Sequence, residues 1–518
     1  MVPSLFLSTT TYFLLTASLL ALLIFLIDYG KAKRRRTMSG IVEEGIVKEI
    51  KKDEVPDAPG PKPWPIIGSL DVLGQYDVPY KAFSELAKQY NSQIIKLRLG
   101  SLNCIVVNGV ENIKEILFIK GTHFDSRPNF ARYNQLFGGN KDNSLAFSDW
   151  SELQKTRREM LRAHTFPRSF TKRYNELNCF IAKEIEQLLS HIESSASTNV
   201  KVAIKPPILK ACANIFTNYF CSRRFGDDDG EFQSLIDAFD NIFWEVNQGY
   251  AADFMPFLLP LHTRKFQKAT AWAATIRRFV DKRLIGDRRS SWTEDTPEED
   301  YVDCLINHVQ SNAEPNMSWE TAVFALEDII GGHAAIGNFL VKVLGYLAPR
   351  RHVQEEAQKE IDGIEGLGKI VGLEYRRSMP YTEAILLESI RLIASPIVPH
   401  VANRDSSVAG YKVEKDAFIF LNNYDLNMSE ELWTSPQEFI PERFIKNGTI
   451  LKPEYFLPFG GGRRSCMGYK MVQYLTFSIV ATILKHYTLL PADGESYHVP
   501  VCSLALPADT FKFRFEKR

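Results

Sequence analysis

A chain of 518 residues with 45% hydrophobic content has enough apolar sequence for a core larger than that of one ordinary domain. Its formal net charge is zero, which excludes bulk electrostatic attraction to nucleic acid. The 7 cysteines are scattered at 104, 179, 212, 221, 304, 466 and 502 without a C-x-x-C pair, which argues against a disulfide framework or a zinc site and for a reducing compartment.

From Ser4 to Ile27 the chain carries no charge, a run long enough to cross about 30 Å of hydrocarbon as a helix. Lys31, Lys33, Arg34, Arg35 and Arg36 follow it and none precedes it, so that side is expected to face the cytosol. A cleaved signal peptide is the competing reading; the length of the run, the side on which the basic residues lie and the lack of an A-x-A site all disfavour it. Residues 1–30 are therefore expected to be a transmembrane anchor, 31–58 a charged linker and 59–518 the main folded domain. The Pro59–Gly68 segment fixes an extended path, because each X-Pro step disfavours helix. Ile94–Gly100 and Cys104–Val107 read as short strands about a turn, and most of the remainder has helical periodicity. The expected class is mainly α with small β-sheets (α+β).

The chemistry concentrates toward the C-terminus. In the segment Tyr381 to Leu392, Glu388 and Arg391 stand three apart on one helix face; taken alone, such a pair is most often a weak surface salt bridge. Pro441-Glu442-Arg443-Phe444 follows. Then Phe459-Gly460-Gly461-Gly462-Arg463-Arg464-Ser465-Cys466-Met467-Gly468 presents one cysteine on a glycine-rich loop opening into an apolar helix, Tyr469 to Leu484. A lone thiolate in that setting suits an axial ligand to haem iron. Glycines let backbone approach a macrocycle, and Arg464 is placed to meet a propionate. A buried cysteine in a glycine-rich turn is the plainer alternative.

The complete F-x-x-G-x-R-x-C-x-G pattern, E-x-x-R, P-E-R-F and the proline-rich hinge fall in one order over roughly residues 56 to 518. Together they resemble the haem-thiolate cytochrome P-450 family. The resemblance implies the cytochrome P-450 fold, haem b as cofactor, Cys466 as iron ligand, and a buried network of Glu388, Arg391 and Arg443 beneath the cysteine loop. It implies an oxidoreductase using dioxygen and NADPH-derived electrons from a reductase, with cytochrome b5 as a second donor, and a single-pass endoplasmic reticulum protein with a lipophilic substrate. The family's W-x-x-x-R falls on Leu153 to Arg157, so the arginine is kept and the tryptophan is not. Trp150 is either its substitute, two helical turns before Arg157 on nearly the same face, or core packing. Phe459 belongs to the cofactor loop, and His400 sits where relatives place a propionate donor. Phe254 to Leu261 corresponds to a segment that dips into the bilayer in relatives; a plain buried loop is the other reading.

One departure stands out in the long helix after Ser318. Where most members carry [AG]-G-x-[DE]-T-[TS], whose acid and alcohol organise water that delivers protons during oxygen activation, this chain has Gly332-His333-Ala334-Ala335-Ile336-Gly337. Gly331 and Gly332 cost roughly 1 kcal/mol each in a helix interior and suggest a kink or a close cofactor approach. His333 is expected either to relay protons or to point into protein. Two functions follow, a monooxygenase or a haem-thiolate isomerase or dehydratase that does not activate dioxygen. The distal sequence is similar to that of the insect spook and spookier enzymes. That likeness implies an early sterol oxidation in ecdysteroid (moulting hormone) synthesis; a general steroid or xenobiotic hydroxylase is the less specific alternative.

Overall fold

The computed structural model describes residues 55–196, 201–313 and 317–518. The expected span Ser4 to Ile27 and nearly all of the linker lie outside the described residues.

A 29-residue helix, α7 (Trp319–Leu347), forms the axis of the molecule. Ser318 caps it, its Oγ accepting the Thr321 N–H at 3.2 Å. Helix α4 (Lys205–Cys221) packs along α7, and α5 (Gly230–Asn247), α9 (Pro380–Ile393) and α10 (Tyr469–His486) also pack on it. By length and composition α7 could cross a membrane, yet 83% of its apolar window is buried inside the protein, so it is the core helix. Other long helices wrap this core: α1 (Pro79–Gln89), α2 (Glu152–Thr165), α3 (Lys172–Ala196), α6 (Thr263–Phe279) and α8 (Arg351–Asp362).

Strands β1 (Ile94–Leu99) and β2 (Leu102–Val107) form the expected hairpin, with Ile95 opposite Val106. β2 runs parallel to β5 (Phe418–Leu421), which pairs antiparallel with β4 (His400–Val401), giving the order β1-β2-β5-β4. A second sheet joins β6 (Tyr487–Pro491), β7 (Lys512–Lys517) and β3 (Val202–Ala203).

Two local expectations change, and a third narrows because the helix shows no break at its glycine pair. Trp150 is not on a helix face shared with Arg157: Ser151 caps α2 in extended conformation, its Oγ accepting the Gln154 N–H at 3.1 Å, so Trp150 precedes the first turn. α7 is one unbroken helix through Gly331 and Gly332. The glycines make room for neighbouring rings, since a Cβ on Gly331 would lie 2.9 Å from Phe239 Cε1 and one on Gly332 3.1 Å from Phe216 Cε1. Residues Pro256–His262 form a 3₁₀ turn on the surface, where Phe257 is 65% and Leu261 80% exposed, so the segment is not a buried loop.

Candidate active site

The loop before α10 is built by its glycines. Gly460 (φ 67°) and Gly462 (φ 60°) occupy the left-handed region, and a Cβ on Gly462 would stand 2.1 Å from the Leu117 carbonyl oxygen. The Cys466 N–H donates to the Phe459 carbonyl at 3.0 Å and closes the loop. The thiol thus sits just ahead of the α10 N-terminus. Burial raises its pKa, while the Gly468 N–H, the Arg158 guanidinium and the Tyr469 N–H favour the thiolate.

Behind the loop, Glu388 accepts two hydrogen bonds from Arg391, Nε to Oε2 at 2.8 Å and Nη2 to Oε1 at 2.7 Å, and one from Arg443 Nε at 3.1 Å. Glu388 and Arg391 are fully buried. Arg391 Nη1 also donates to the carbonyls of Asn427 and Pro436 at 2.6 and 2.8 Å, tying α9 to the segment that leads toward the cysteine loop. The i, i+3 pair is therefore a core clamp rather than a surface bridge.

In front of the thiol lies a cavity of about 420 Å³. Leu161, Phe216, Ile329, Ile336, Phe339 and Leu504 give it apolar walls, with Ser395 to Val398 as a further side. Cys466, Arg464, His400 and Phe459 all line it. Trp150, Arg157 and His333 do not line it. The Trp150 ring takes the Arg463 guanidinium at 4.8 Å, and Arg463 pairs with Asp125 at 3.1 Å. Arg157 is turned onto the carbonyls of Asp142 and Asn143. His333 donates Nδ1–H to the Ile330 carbonyl at 2.6 Å and packs edge-on against Phe239. Burial lowers its pKa to about 4, so it is neutral near pH 7.

Two arginines absent from the sequence reading complete the cavity. Arg127 Nη1 donates to the Val398 and Pro399 carbonyls at 2.9 and 3.1 Å, and Arg158 Nη2 donates to the Ser465 carbonyl. Arg464 Nη2 holds the carbonyls of Ala146 and Ser148 at 3.1 and 2.8 Å, while its Nε and Nη1 are buried without a protein partner. Burial first, then mutual repulsion, destabilises the charge on Arg127 and Arg464. Three crowded guanidiniums, with two nitrogens of Arg464 unpartnered, call for an anion, and the two carboxylates of haem b would supply one. His400 Nδ1–H donates to the Phe124 carbonyl at 2.5 Å, so Nε2 offers a proton only as imidazolium. Burial, then Arg127, opposes that form; a carboxylate would favour it. Arg158 could have been found as the outward neighbour of Arg157 on α2, whereas Arg127 sits in a loop without a motif.

A thiol facing an apolar cavity whose cations await two carboxylates defines the site of a haem-thiolate enzyme. The chain belongs to the cytochrome P450 family, whose model, Cytochrome P450, matches residues 58–515. It is 40% identical over 479 residues to cytochrome P450 307a1 of Drosophila melanogaster, covering 88% of each chain. It is 28% identical over 474 residues to cytochrome P450 1A1 of Platichthys flesus, covering 87% of this chain and 89% of that one. A zebra fish cytochrome P450 solved with abiraterone superposes with a TM-score of 0.72 at 21% identity, covering 85% of this chain and 99% of that one, and shares the fold. As a member of this family the protein is a monooxygenase that binds haem b through a cysteine thiolate, and the family draws its electrons from redox partners such as a reductase.

Proposed function

We propose that the protein is a membrane-anchored sterol monooxygenase acting at an early step of ecdysteroid synthesis, with Cys466 as the iron ligand. The 40% identity to the Drosophila relative supports this reading, together with a cavity walled by aliphatic and aromatic side chains. Residues 1–30 would anchor it in the endoplasmic reticulum membrane, 31–58 would tether it, and 59–518 would form the catalytic domain facing a cytosolic reductase.

When bound, haem supplies dioxygen activation. The chain's own part is positional. Gly468 and Tyr469 N–H groups and Arg158 hold the sulfur in thiolate form. Arg127, Arg158 and Arg464 would neutralise the haem carboxylates, and His400 Nε2 would donate to one of them as imidazolium. Ile329, Ile336, Phe339 and Leu504 exclude water and orient an apolar substrate. His333, neutral and packed away from the cavity, leaves proton supply to water and substrate hydroxyls.

The test is reconstitution of the full chain with reductase, NADPH and a dehydrogenated sterol under oxygen-18 gas. Labelled product is expected. Converted sterol without label would overturn the monooxygenase reading of this substrate and favour rearrangement or desaturation.

A further inference from the structure

The segment from Pro500 to Pro507 has no regular secondary structure, yet its Leu504 forms part of the cavity wall. Such a segment keeps one shape only where tertiary contacts satisfy its backbone. Cys502 stands in the left-handed region at φ 55°, which a residue with a Cβ retains only when its surroundings determine it. Its N–H donates to the Ile393 carbonyl at 2.7 Å, at the end of α9.

Two buried lysines hold the rest of the segment. Lys342 on α7 is fully buried, and its Nζ donates to the Pro500 carbonyl at 3.0 Å and to the Ser503 carbonyl, one on each side of Cys502. A lysine in the core is costly when it meets carbonyls rather than a carboxylate. Burial lowers its pKa to about 7 against the Cys502 thiol, and either form of the amine keeps N–H groups for the two carbonyls. Lys205, at the start of α4, donates Nζ to the Leu506 and Pro507 carbonyls at 2.8 and 3.2 Å and pairs with Asp240 of α5 at 2.6 Å. Asn338, one turn before Lys342, accepts the Leu506 N–H at 2.8 Å and donates to Asp240 Oδ1 at 2.9 Å. Leu504 is thus bracketed by backbone fixed at Ser503 and at Leu506, while Lys342, Lys205 and Asn338 stay outside the cavity lining.

We propose that Lys342 is a positioning residue for the substrate cavity, fixing the backbone just before Leu504 as Lys205 and Asn338 fix it just after, and so setting how closely the Leu504 wall meets a bound ligand. The lysine acts through Leu504 and touches no ligand itself. The inference is independent of the sterol reading above, since it concerns the wall and not the identity of what the wall meets.

The experiment titrates the full-length holoenzyme with imidazole and with 4-phenylimidazole, following the Soret shift as the azole nitrogen meets the haem iron. Imidazole reports access to the iron, and the phenyl group adds contact with the wall. In Lys342→Met, which keeps an unbranched side chain without the amine, 4-phenylimidazole should bind about tenfold more weakly with imidazole unchanged. Leu504→Ala should give the same selective loss. The double variant should lose no more than Leu504→Ala alone, because the lysine then has no wall to position. An intact reduced carbon monoxide spectrum certifies the fold of each variant. Asn338→Leu releases the other side of Leu504 and carries the test where the methionine variant does not fold, with the same selective loss expected. An unchanged ratio of the two affinities in the folded variants overturns the proposal. So does an additive loss in the double variant, which would mean that Lys342 reaches the cavity by another route. Equal weakening of both azoles assigns the lysine to general stability and overturns it too, as does a wild type that binds the two azoles equally, because no wall then meets the phenyl group.

Discussion

The wall that carries Cys466 and the wall made by α7 face one cavity but are specified differently. The cysteine wall is dense in polar geometry: two left-handed glycines, a closing hydrogen bond from Cys466 to Phe459, and the Glu388–Arg391–Arg443 clamp behind it. Each part occupies a fixed place in a short motif. The α7 wall is apolar packing around a narrow stripe, with Asp328 as the one charged α7 residue in the cavity lining and with two glycines at which an added Cβ would crowd the rings of Phe239 and Phe216. A site whose parts must bond to the cofactor tolerates little variation, whereas a wall that needs only shape is free to change its sequence.

The largest expected effect lies on the cysteine wall. Cys466→Ser should abolish turnover and the red-shifted Soret band of the reduced carbon monoxide complex while leaving the cavity intact. A variant that keeps the band would remove Cys466 as the ligand. Next is Glu388→Ala, which leaves Arg391 buried and uncompensated and should cost about 3–5 kcal/mol. The denaturant midpoint of the holoprotein reads this directly, and a loss below about 1 kcal/mol would mean that the clamp is dispensable.

Elsewhere on α7, on the side turned away from the cavity, the effects are smaller and depend on pH. His333 is neutral because burial lowers its pKa from 6.5 to about 4. Between those values the unfolded chain binds the proton and the folded one does not, so stability falls as the pH drops from about 6.5 toward 4. At roughly 1.4 kcal/mol per pH unit the full contribution is on the order of 3 kcal/mol. His333→Gln should flatten that part of the stability profile relative to wild type, and parallel profiles would place the histidine in a wetter setting than its contacts indicate.

How far the two walls were legible in sequence follows from the same contrast. Cys466, Arg464, Phe459 and His400 are placed together by the fold; one short motif carries the first three, and His400 follows from the family resemblance through its position after E-x-x-R. The β1–β2 hairpin and the extents of α9 and α10 also follow from local pattern. Arg157 and Trp150 do not reach the cavity, because the Ser151 cap sets the phase of α2 and turns Arg158, not Arg157, toward the cysteine loop. Asp328 lies outside the motif register that begins at Gly332. The residue one turn earlier shares the same face, and the helical repeat would have found it. Arg127 comes from a loop whose approach to the cavity depends on tertiary contacts that no local pattern encodes.

The finest comparison within α7 is Gly331→Ala. Helix propensity alone favours alanine by about 1 kcal/mol. The new Cβ, however, would meet Phe239 Cε1 at 2.9 Å and Cδ1 at 3.2 Å, a ring that is 8% exposed and packed edge-on against His333 at 5.3 Å. Shifting such a ring costs about 1–3 kcal/mol, so overpacking outweighs propensity and the variant should lose roughly 1 kcal/mol. Phe239→Leu removes the obstructing ring, and in that background Gly331→Ala should stabilise instead. A sign change across the double-mutant cycle, read from thermal midpoints, would show that this glycine serves packing; the same destabilisation in both backgrounds would mean that α7 requires Gly331 for its own backbone.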